Sequence, residues 1–280
     1  MSEDGLPALR DVIATHGLDT RKSLGQHFLL DLNLTRRIAR VAGDLAACDV
    51  VEIGPGPGGL TRALLMEGAR RVVAVERDAR CTAALAEVAD AYPGRLTLLE
   101  ADAMQVDEGT HVAPGAKIVA NLPYNISTAL LLKWLSLEPW PAWFSSMTLM
   151  FQREVAERIV AAPGSKAYGR LSVISQWRTK AHMVFDVDPR AFTPPPKVVS
   201  SIVHMMPVAA APDAPSLKSV EAVTAAAFGQ RRKMLRASLK QIFADPEATC
   251  AAAKIDPTLR AERLEVDDFL RLARQFEAPK

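Results

Sequence analysis

Val50-Val51-Glu52-Ile53-Gly54-Pro55-Gly56-Pro57-Gly58-Gly59-Leu60 is the stretch on which the fold turns. Val50 to Ile53 reads as a strand, the glycines after it as a tight turn, and Leu60 to Glu67 has helical spacing. The turn satisfies G-x-G-x-x-G through Gly54, Gly56 and Gly59, and Glu76 closes the next strand, Arg71–Glu76. By spacing alone this is a dinucleotide fingerprint. Pro55 and Pro57 argue otherwise. A pyrophosphate at such a turn is held by backbone N–H groups, and proline has none to give. The loop fits close passage of an uncharged or zwitterionic ligand, and Glu76 fits a ribose diol.

Downstream the alternation continues. A helix runs from Ala79 to about Ala91, followed by a Pro93-Gly94 break. Leu96–Leu99 is a third strand and ends in Glu100-Ala101-Asp102-Ala103; Lys117–Ala120 is a fourth, with a helix from about Ser127 to Leu135. Met147–Phe151 is a fifth strand, Glu154–Val160 is helical, and residues 170–178 are amphipathic. His182–Phe185 and Val198–Met206 are the last two strands. This pattern predicts a doubly wound, mostly parallel seven-stranded sheet, an α/β fold of Rossmann-like type. With no helix-length segment between them, the last two strands should pair antiparallel at one edge.

Upstream, residues 6–16 and 33–42 have helical spacing, and Arg21 to Leu29 between them is too irregular to assign. It is either a loop lying across a ligand or a plain connection. Residues 208–217 are rich in Ala and Pro and read as a linker. Beyond it, 218–229, 231–244, 246–254 and 265–276 are helical without a strand candidate. The expected organisation is an N-terminal extension (1–20), a catalytic domain (21–207), the linker, and a small α-helical C-terminal domain (218–280).

Asp102, closing the third strand, offers a carboxylate acceptor to an adenine amine, and the Ala103 N–H could serve a ring nitrogen. Glycine turn, Glu76 and Asp102 at three successive strand ends describe a site for an adenosine with a short tail. S-adenosyl-L-methionine is such a ligand. Taken singly, Glu76 or Asp102 is equally a helix N-cap or a solvated carboxylate.

Asn121-Leu122-Pro123-Tyr124 ends the fourth strand at a rigid X-Pro step. The Asn121 side-chain oxygen and the Leu122 carbonyl can accept both hydrogens of an aromatic amine, drawing its nitrogen toward tetrahedral geometry. Tyr124 can stack on the base. Phe192, in Phe192-Thr193-Pro194-Pro195-Pro196-Lys197, is a candidate for the second face of an aromatic clamp, or else a hydrophobic plug at a loop base. Such chemistry is positioning and electrostatics, and a helical base must first be flipped out. Phe228-Gly229-Gln230-Arg231-Arg232-Lys233-Met234-Leu235-Arg236 continues to Lys240 without an acid. Arg232, Arg236 and Lys240 should share a helix face beside Lys233, either a solvated basic face or one that contacts phosphate. Leu235, Leu239 and Ile242 would form the buried stripe.

The 280 residues are 49% hydrophobic and 24% charged with a formal charge of +2, a globular balance that excludes no partner class. Cys48, Cys81 and Cys250 have neither zinc nor disulfide-framework spacing and look like reduced thiols. No metal is expected. The acidic start, Met-Ser-Glu-Asp-Gly, has no apolar core behind it, and no apolar run approaches a membrane span. A cytoplasmic protein that does not meet membranes is expected.

Taken together, these motifs resemble the ribosomal RNA small-subunit adenine N6-dimethyltransferases of the KsgA/RsmA type. The residues that carry the likeness are Gly25–Leu29, Val51–Gly56, Glu76, Asp102, Asn121–Ser127, Ser165–Ser172, Phe192–Val198 and Phe228–Arg236. They run in order from about residue 20 to 276. The resemblance implies a Rossmann-like S-adenosylmethionine-dependent methyltransferase fold. It further implies dimethylation of two adjacent adenosines in a hairpin loop near the 3′ end of small-subunit rRNA. The substrate would be an immature 30S particle and the enzyme a monomer. Gln26, His27 and Leu29 would help close over the cofactor, with Arg231, Arg232, Lys233, Arg236, Lys240 and Lys197 on RNA. The family often has Asn where this chain has His27, and a titrating imidazole would make cofactor affinity pH-dependent. Other readings are a DNA adenine methyltransferase, a ribosome-assembly factor, and an NAD-dependent dehydrogenase, which the loop prolines disfavour.

Overall fold

The computed structural model describes residues 4–18 and 26–278. Of the stretch Arg21–Leu29, which the sequence leaves open as a loop across a ligand or a plain connection, Arg21–Gly25 lies outside those residues.

A helix α1 (Leu9–Thr15) precedes a two-residue strand β1 (Phe28–Leu29) and helix α2 (Leu32–Val41). Asp31 caps α2 by accepting from the Asn33 N–H at 2.8 Å. Then β2 (Asp49–Ile53), α3 (Gly59–Met66), β3 (Arg71–Glu76), α4 (Ala79–Ala91), β4 (Leu96–Glu100), β5 (Ala116–Asn121), α5 (Ser127–Leu135) and β6 (Phe144–Gln152) alternate. Next come α6 (Arg153–Ile159), α7 (Arg170–Arg178), β7 (Thr179–Val187), β8 (Phe192–Thr193) and β9 (Ser200–Pro207). The chain ends in α8 (Leu217–Gly229), α9 (Leu235–Ser238), α10 (Pro246–Ala252) and α11 (Val266–Glu277).

The seven-stranded sheet has the order β4-β3-β2-β5-β6-β9-β7. Its first five strands are parallel, while β9 runs antiparallel to β6 and lies between it and the edge strand β7. β2 and β5 are neighbours although two strands and their crossovers separate them in the chain. The direction of winding reverses there, and such a reversal opens a crevice at the carboxyl ends of the strands. All five residues of β2 are buried, as befits a parallel strand covered on both faces.

β1 and β8 form a separate two-stranded ladder, Phe28 opposite Thr193 and Leu29 opposite Phe192. Neither is legible in the sequence, because two residues carry no periodicity.

Contacts divide the chain into two compact units. The first contains Met1–Trp134, Ala142–Ala156 and His182–Pro207, and the second Leu135–Pro141, Glu157–Ala181 and Val208–Lys280. The helical unit thus begins well before residue 207, where the sequence ends the catalytic domain. Tyr168 and Val173 are buried with Val223, Leu235, Phe269 and Leu272 of the C-terminal helices, so α7 belongs to that core.

One expected helix is corrected. Residues 231–244 are a turn through Arg232, an antiparallel bridge of Met234 with Arg260, the four-residue α9 and a short 3-10 turn, Leu239–Gln241. The Leu235 and Arg236 amides donate to the carbonyls of Leu259 and Pro257, at 2.8 and 3.0 Å, which draws this backbone out of helical pairing. Arg232, Arg236 and Lys240 therefore do not share a helix face. Leu235 and Leu239 are nonetheless fully buried, as their spacing implied.

Candidate functional site

The glycine turn after β2 takes its shape from close approaches. Gly54, Gly56 and Gly58 have φ of +66°, +57° and +89°, where a side chain is strained. A Cβ on Gly56 would also stand 2.9 Å from Phe28 Cε1. The turn amides are consumed internally: Gly54 N–H donates to the Val75 carbonyl at 2.9 Å, Gly56 to Glu76 Oε2 at 3.1 Å and Gly58 to the Pro55 carbonyl at 3.1 Å. With Pro55 and Pro57 they leave no set of free N–H groups between 54 and 58 for a pyrophosphate.

This turn forms one wall of a cleft of about 180 Å³. Its lining residues all fall between Gln26 and Ile126, within the first unit. Glu76, at the end of β3, is 8% exposed. Its Oε1 accepts from the Arg77 and Asp78 amides, both at 2.8 Å, in addition to the Gly56 contact. Burial pushes the Glu76 carboxyl up, and those three N–H donors only partly offset it. An ionised carboxylate has about four acceptor sites, so roughly one remains for a ligand hydroxyl.

Asp102 follows β4, its side chain 32% exposed with Oδ2 3.6 Å from Arg77. Its Oδ1 accepts from the Met104 amide at 3.0 Å. Ala103 is buried beside it, and its carbonyl accepts from Lys133 Nζ at 2.7 Å. The same ammonium also bonds the Val106 carbonyl and Glu108 Oε1, so α5 pins the whole loop after β4.

Asn121 ends β5, beside the reversal point. Its Nδ2 donates to the His27 carbonyl at 3.1 Å, and among the described residues nothing donates to its Oδ1. Leu122, Pro123 and Tyr124 continue the lining, Leu122 itself being buried. The Tyr124 hydroxyl shares a hydrogen bond of 2.5 Å with Ser200 Oγ, which anchors the tip of the side chain.

On the opposite rim, Gln26 Nε2 donates to Asp78 Oδ2 at 3.2 Å. The Arg80 guanidinium beside it holds the Asp78 carboxyl down at about 2, so this acceptor is charged. His27 Nδ1–H donates to the Pro194 carbonyl at 2.8 Å, which anchors the ring at the cleft rim. Leu29 is buried in β1 and faces the cleft.

Phe192 is not brought to the cleft. It is 2% exposed, packed with Leu29, Ile38 and Ile202, and does not line the cavity. The ring standing between it and Tyr124 is His27, 5.4 Å from Tyr124 and 6.4 Å from Phe192 between centroids. The β1–β8 pairing that the sequence hides turns Phe192 inward.

Lys197 is exposed in the first unit. Arg231, Arg232, Lys233, Arg236 and Lys240 are all exposed in the second. Arg231 is partly committed to structure, donating to the Lys166 and Tyr168 carbonyls at 2.6 and 2.9 Å.

Sequence reasoning passed over Glu52, Met104 and Lys133. Glu52 lines the cleft with 1% exposure. It accepts from Thr61 Oγ1 at 2.6 Å, and burial raises its carboxyl to about 8. The signal was present: an acid inside an apolar strand needs a reason. Met104 is 38% exposed at the cleft rim. Among the described residues no three metal-ligating side chains cluster, and no helix is long and apolar enough to cross a membrane.

The strand order, with its antiparallel β9 inserted beside β7, and a cleft at the β2/β5 reversal mark a Rossmann-like methyltransferase. A solved dimethyladenosine transferase from Plasmodium falciparum superposes with a TM-score of 0.73 at 27% identity, covering 90% of this chain and 98% of that one. The 23S rRNA methyltransferase ErmE follows at 0.66 and 26%, covering 90% and 100%. Ribosomal RNA small subunit methyltransferase A of Xanthobacter autotrophicus is 62% identical over 274 residues, 98% of this chain and 95% of that one. Residues 17–278 match the family described as ribosomal RNA adenine dimethylase. The chain belongs to that family, and it is a methyltransferase.

Proposed function

We propose that the protein uses S-adenosylmethionine to dimethylate the N6 amines of two adjacent adenosines in a hairpin loop near the 3′ end of 16S rRNA. It acts as a cytoplasmic monomer on an immature 30S particle. The observation that carries this reading is the fixed Asn121 amide. Its nitrogen is spoken for by the His27 carbonyl, so its oxygen is the atom left for a substrate. An oxygen there accepts an amine hydrogen, and the Leu122 carbonyl takes the other. The nitrogen lone pair is then free to point into the cleft. Tyr124, tethered to Ser200, offers a ring face that cannot swing away from the flipped base. The clamp's second face is assigned to the His27 ring rather than to the buried Phe192.

S-adenosylmethionine supplies the electrophilic methyl group when bound. Glu76 takes its ribose, Asp102 and the Ala103 amide its adenine edge, and Gly54 and Gly56 let its tail pass close to the backbone. Gln26, His27 and Leu29 form the rim above it. The cleft residues fit such a ligand because their free acceptors face a site whose turn amides are already satisfied, which suits a zwitterion and not a pyrophosphate. Arg232, Lys233, Arg236 and Lys240, with Lys197 and the exposed part of Arg231, meet RNA phosphates. The 62% identity to a small-subunit enzyme favours 16S over 23S rRNA, a choice on which the fold is silent.

Incubating the protein with labelled S-adenosylmethionine and unmodified small subunits, then mapping the labelled nucleotides, tests this directly. Label on two neighbouring adenosines near the 3′ end is expected. Small subunits left unlabelled, while large subunits or duplex DNA offered in parallel reactions take up label, would reject the substrate assignment.

A further inference from the structure

Residues 4–16 precede the matched span, 17–278, and the function proposed above gives them no part. They are nonetheless joined to the glycine turn at three points. The first is an ion pair sealed from water. The Asp4 side chain is 0% exposed and that of Arg62 1%. Arg62 Nε and Nη2 each donate to one Asp4 oxygen at 2.6 Å, and Nη1 donates to the Pro7 carbonyl at 2.8 Å. Burial pushes the Asp4 carboxyl up, but the Arg62 fork and charge more than reverse it, so Asp4 is a carboxylate at neutral pH. Arg62 is the fourth residue of α3. The pair therefore grips that helix in its first turn, directly behind the glycines.

The second point is Leu9 of α1. A Cβ on Gly59 would lie 3.2 Å from Leu9 Cδ1 and 2.5 Å from the Leu29 carbonyl oxygen, so α1, β1 and the start of α3 meet with no slack. The third runs through Phe28. Val12 and Leu18 pack with Phe28, Cys81 and Ala84, and the Phe28 ring is the group that closes on Gly56. The other end of this segment is fastened to α4, where His16 Nε2 meets Glu87 Oε1 at 2.8 Å and Arg80 Nη1 donates to the Gly17 carbonyl at 3.1 Å.

A helix covering a core needs only apolar contacts. A dry, doubly bonded arginine–carboxylate pair adds geometric specificity, and removing one member strands a buried charge. We infer that residues 4–16 are a brace that fixes the glycine turn in its cofactor-binding form, with Asp4 and Arg62 as positioning residues for methyl transfer. The inference rests on reading the cleft as the S-adenosylmethionine site. A segment that merely stabilised the fold would leave the affinity of the folded protein unchanged. A brace instead sets the fraction of molecules whose turn is competent, and apparent affinity falls with that fraction.

The test compares the full chain with Asp4→Asn and with a chain starting at residue 17. S-adenosylmethionine affinity is read by titration, KM and kcat by methyl transfer, and amide hydrogen exchange across residues 54–62 without ligand. In both variants the cofactor Kd and KM are expected to rise about tenfold or more while KM for small subunits stays within about twofold. Amides 54–62 lose protection. A folded variant with full-chain affinity and unchanged exchange would overturn the brace. If the shortened chain does not fold, Asp4→Asn alone decides. If the full chain itself binds no S-adenosylmethionine, the cofactor reading fails, and the exchange measurement still decides for or against the brace.

Discussion

Asn121 owes its orientation to a backbone atom ninety-four residues away in sequence, the His27 carbonyl. Replacing it with Asp keeps the shape but turns that donor into an acceptor facing an acceptor. The side chain must rotate, and the amine loses its in-line partner. Asn121→Asp is expected to lower kcat by about 10²- to 10³-fold, the size seen when one preorganised polar group is removed. Circular dichroism should stay unchanged; a kcat within threefold or so of the parent would remove Asn121 from the chemistry. Glu52 makes a different residue-scale claim. Its carboxyl titrates near 8 when folded against 4.5 unperturbed. Below 4.5 both states hold the proton, and between 4.5 and 8 only the folded state does. Stability therefore falls as pH rises through that window and levels off above it. Glutamine mimics the neutral acid, so Glu52→Gln should raise Tm at about pH 8.5 and leave it nearly unchanged at about pH 4.5. Equal effects at both pH values would show that Glu52 does not titrate as described.

At the level of elements, what the sequence disclosed and what it hid follow one rule. The five parallel strands and α4 announce themselves, because each spans enough residues to show an apolar run or a period. Glu76, Asp102 and Asn121 come with them, since a residue that closes a legible strand has a legible position. Elements held by distant partners stay hidden. β1 and β8 exist only because each is the other's partner, and with that pairing Phe192 is buried and the His27 ring neighbours both it and Tyr124. The turn at 230–234 is likewise set from outside, by Leu259, Pro257 and the carbonyls that hold Arg231. Its sequence is a good helix, and the tertiary bonds override it. Arg231 and Arg232 are adjacent, basic and exposed, yet only Arg231 has those carbonyls to lose. Arg231→Ala should cost about 1–3 kcal/mol of stability, and Arg232→Ala should stay within about 0.5 kcal/mol of the parent. Urea melts of the two variants that coincide would show that the carbonyl contacts carry no weight.

Across the whole molecule the formal charge is only +2, so attraction to a polyanion depends on where the basic groups lie. The cleft-lining residues belong to the first unit, while Arg232, Lys233 and Lys240 stand exposed in the second. This separation makes the two binding events separately addressable. Neutralising those three side chains together should weaken binding to small subunits and flatten its salt dependence. Each lost phosphate contact reduces the slope of log K against log salt by about 0.7 to 0.9, so the triple variant should lose roughly two units of slope. Its Kd for S-adenosylmethionine should match the parent, because no cleft residue has been touched. Titrations of small subunits at three or four salt concentrations, with cofactor binding measured on the same preparations, give both numbers. A weakened variant with an undiminished slope would mean that these side chains act through packing. A parental affinity and slope would move the RNA contact to other basic groups, with Lys197 in the first unit the next to remove.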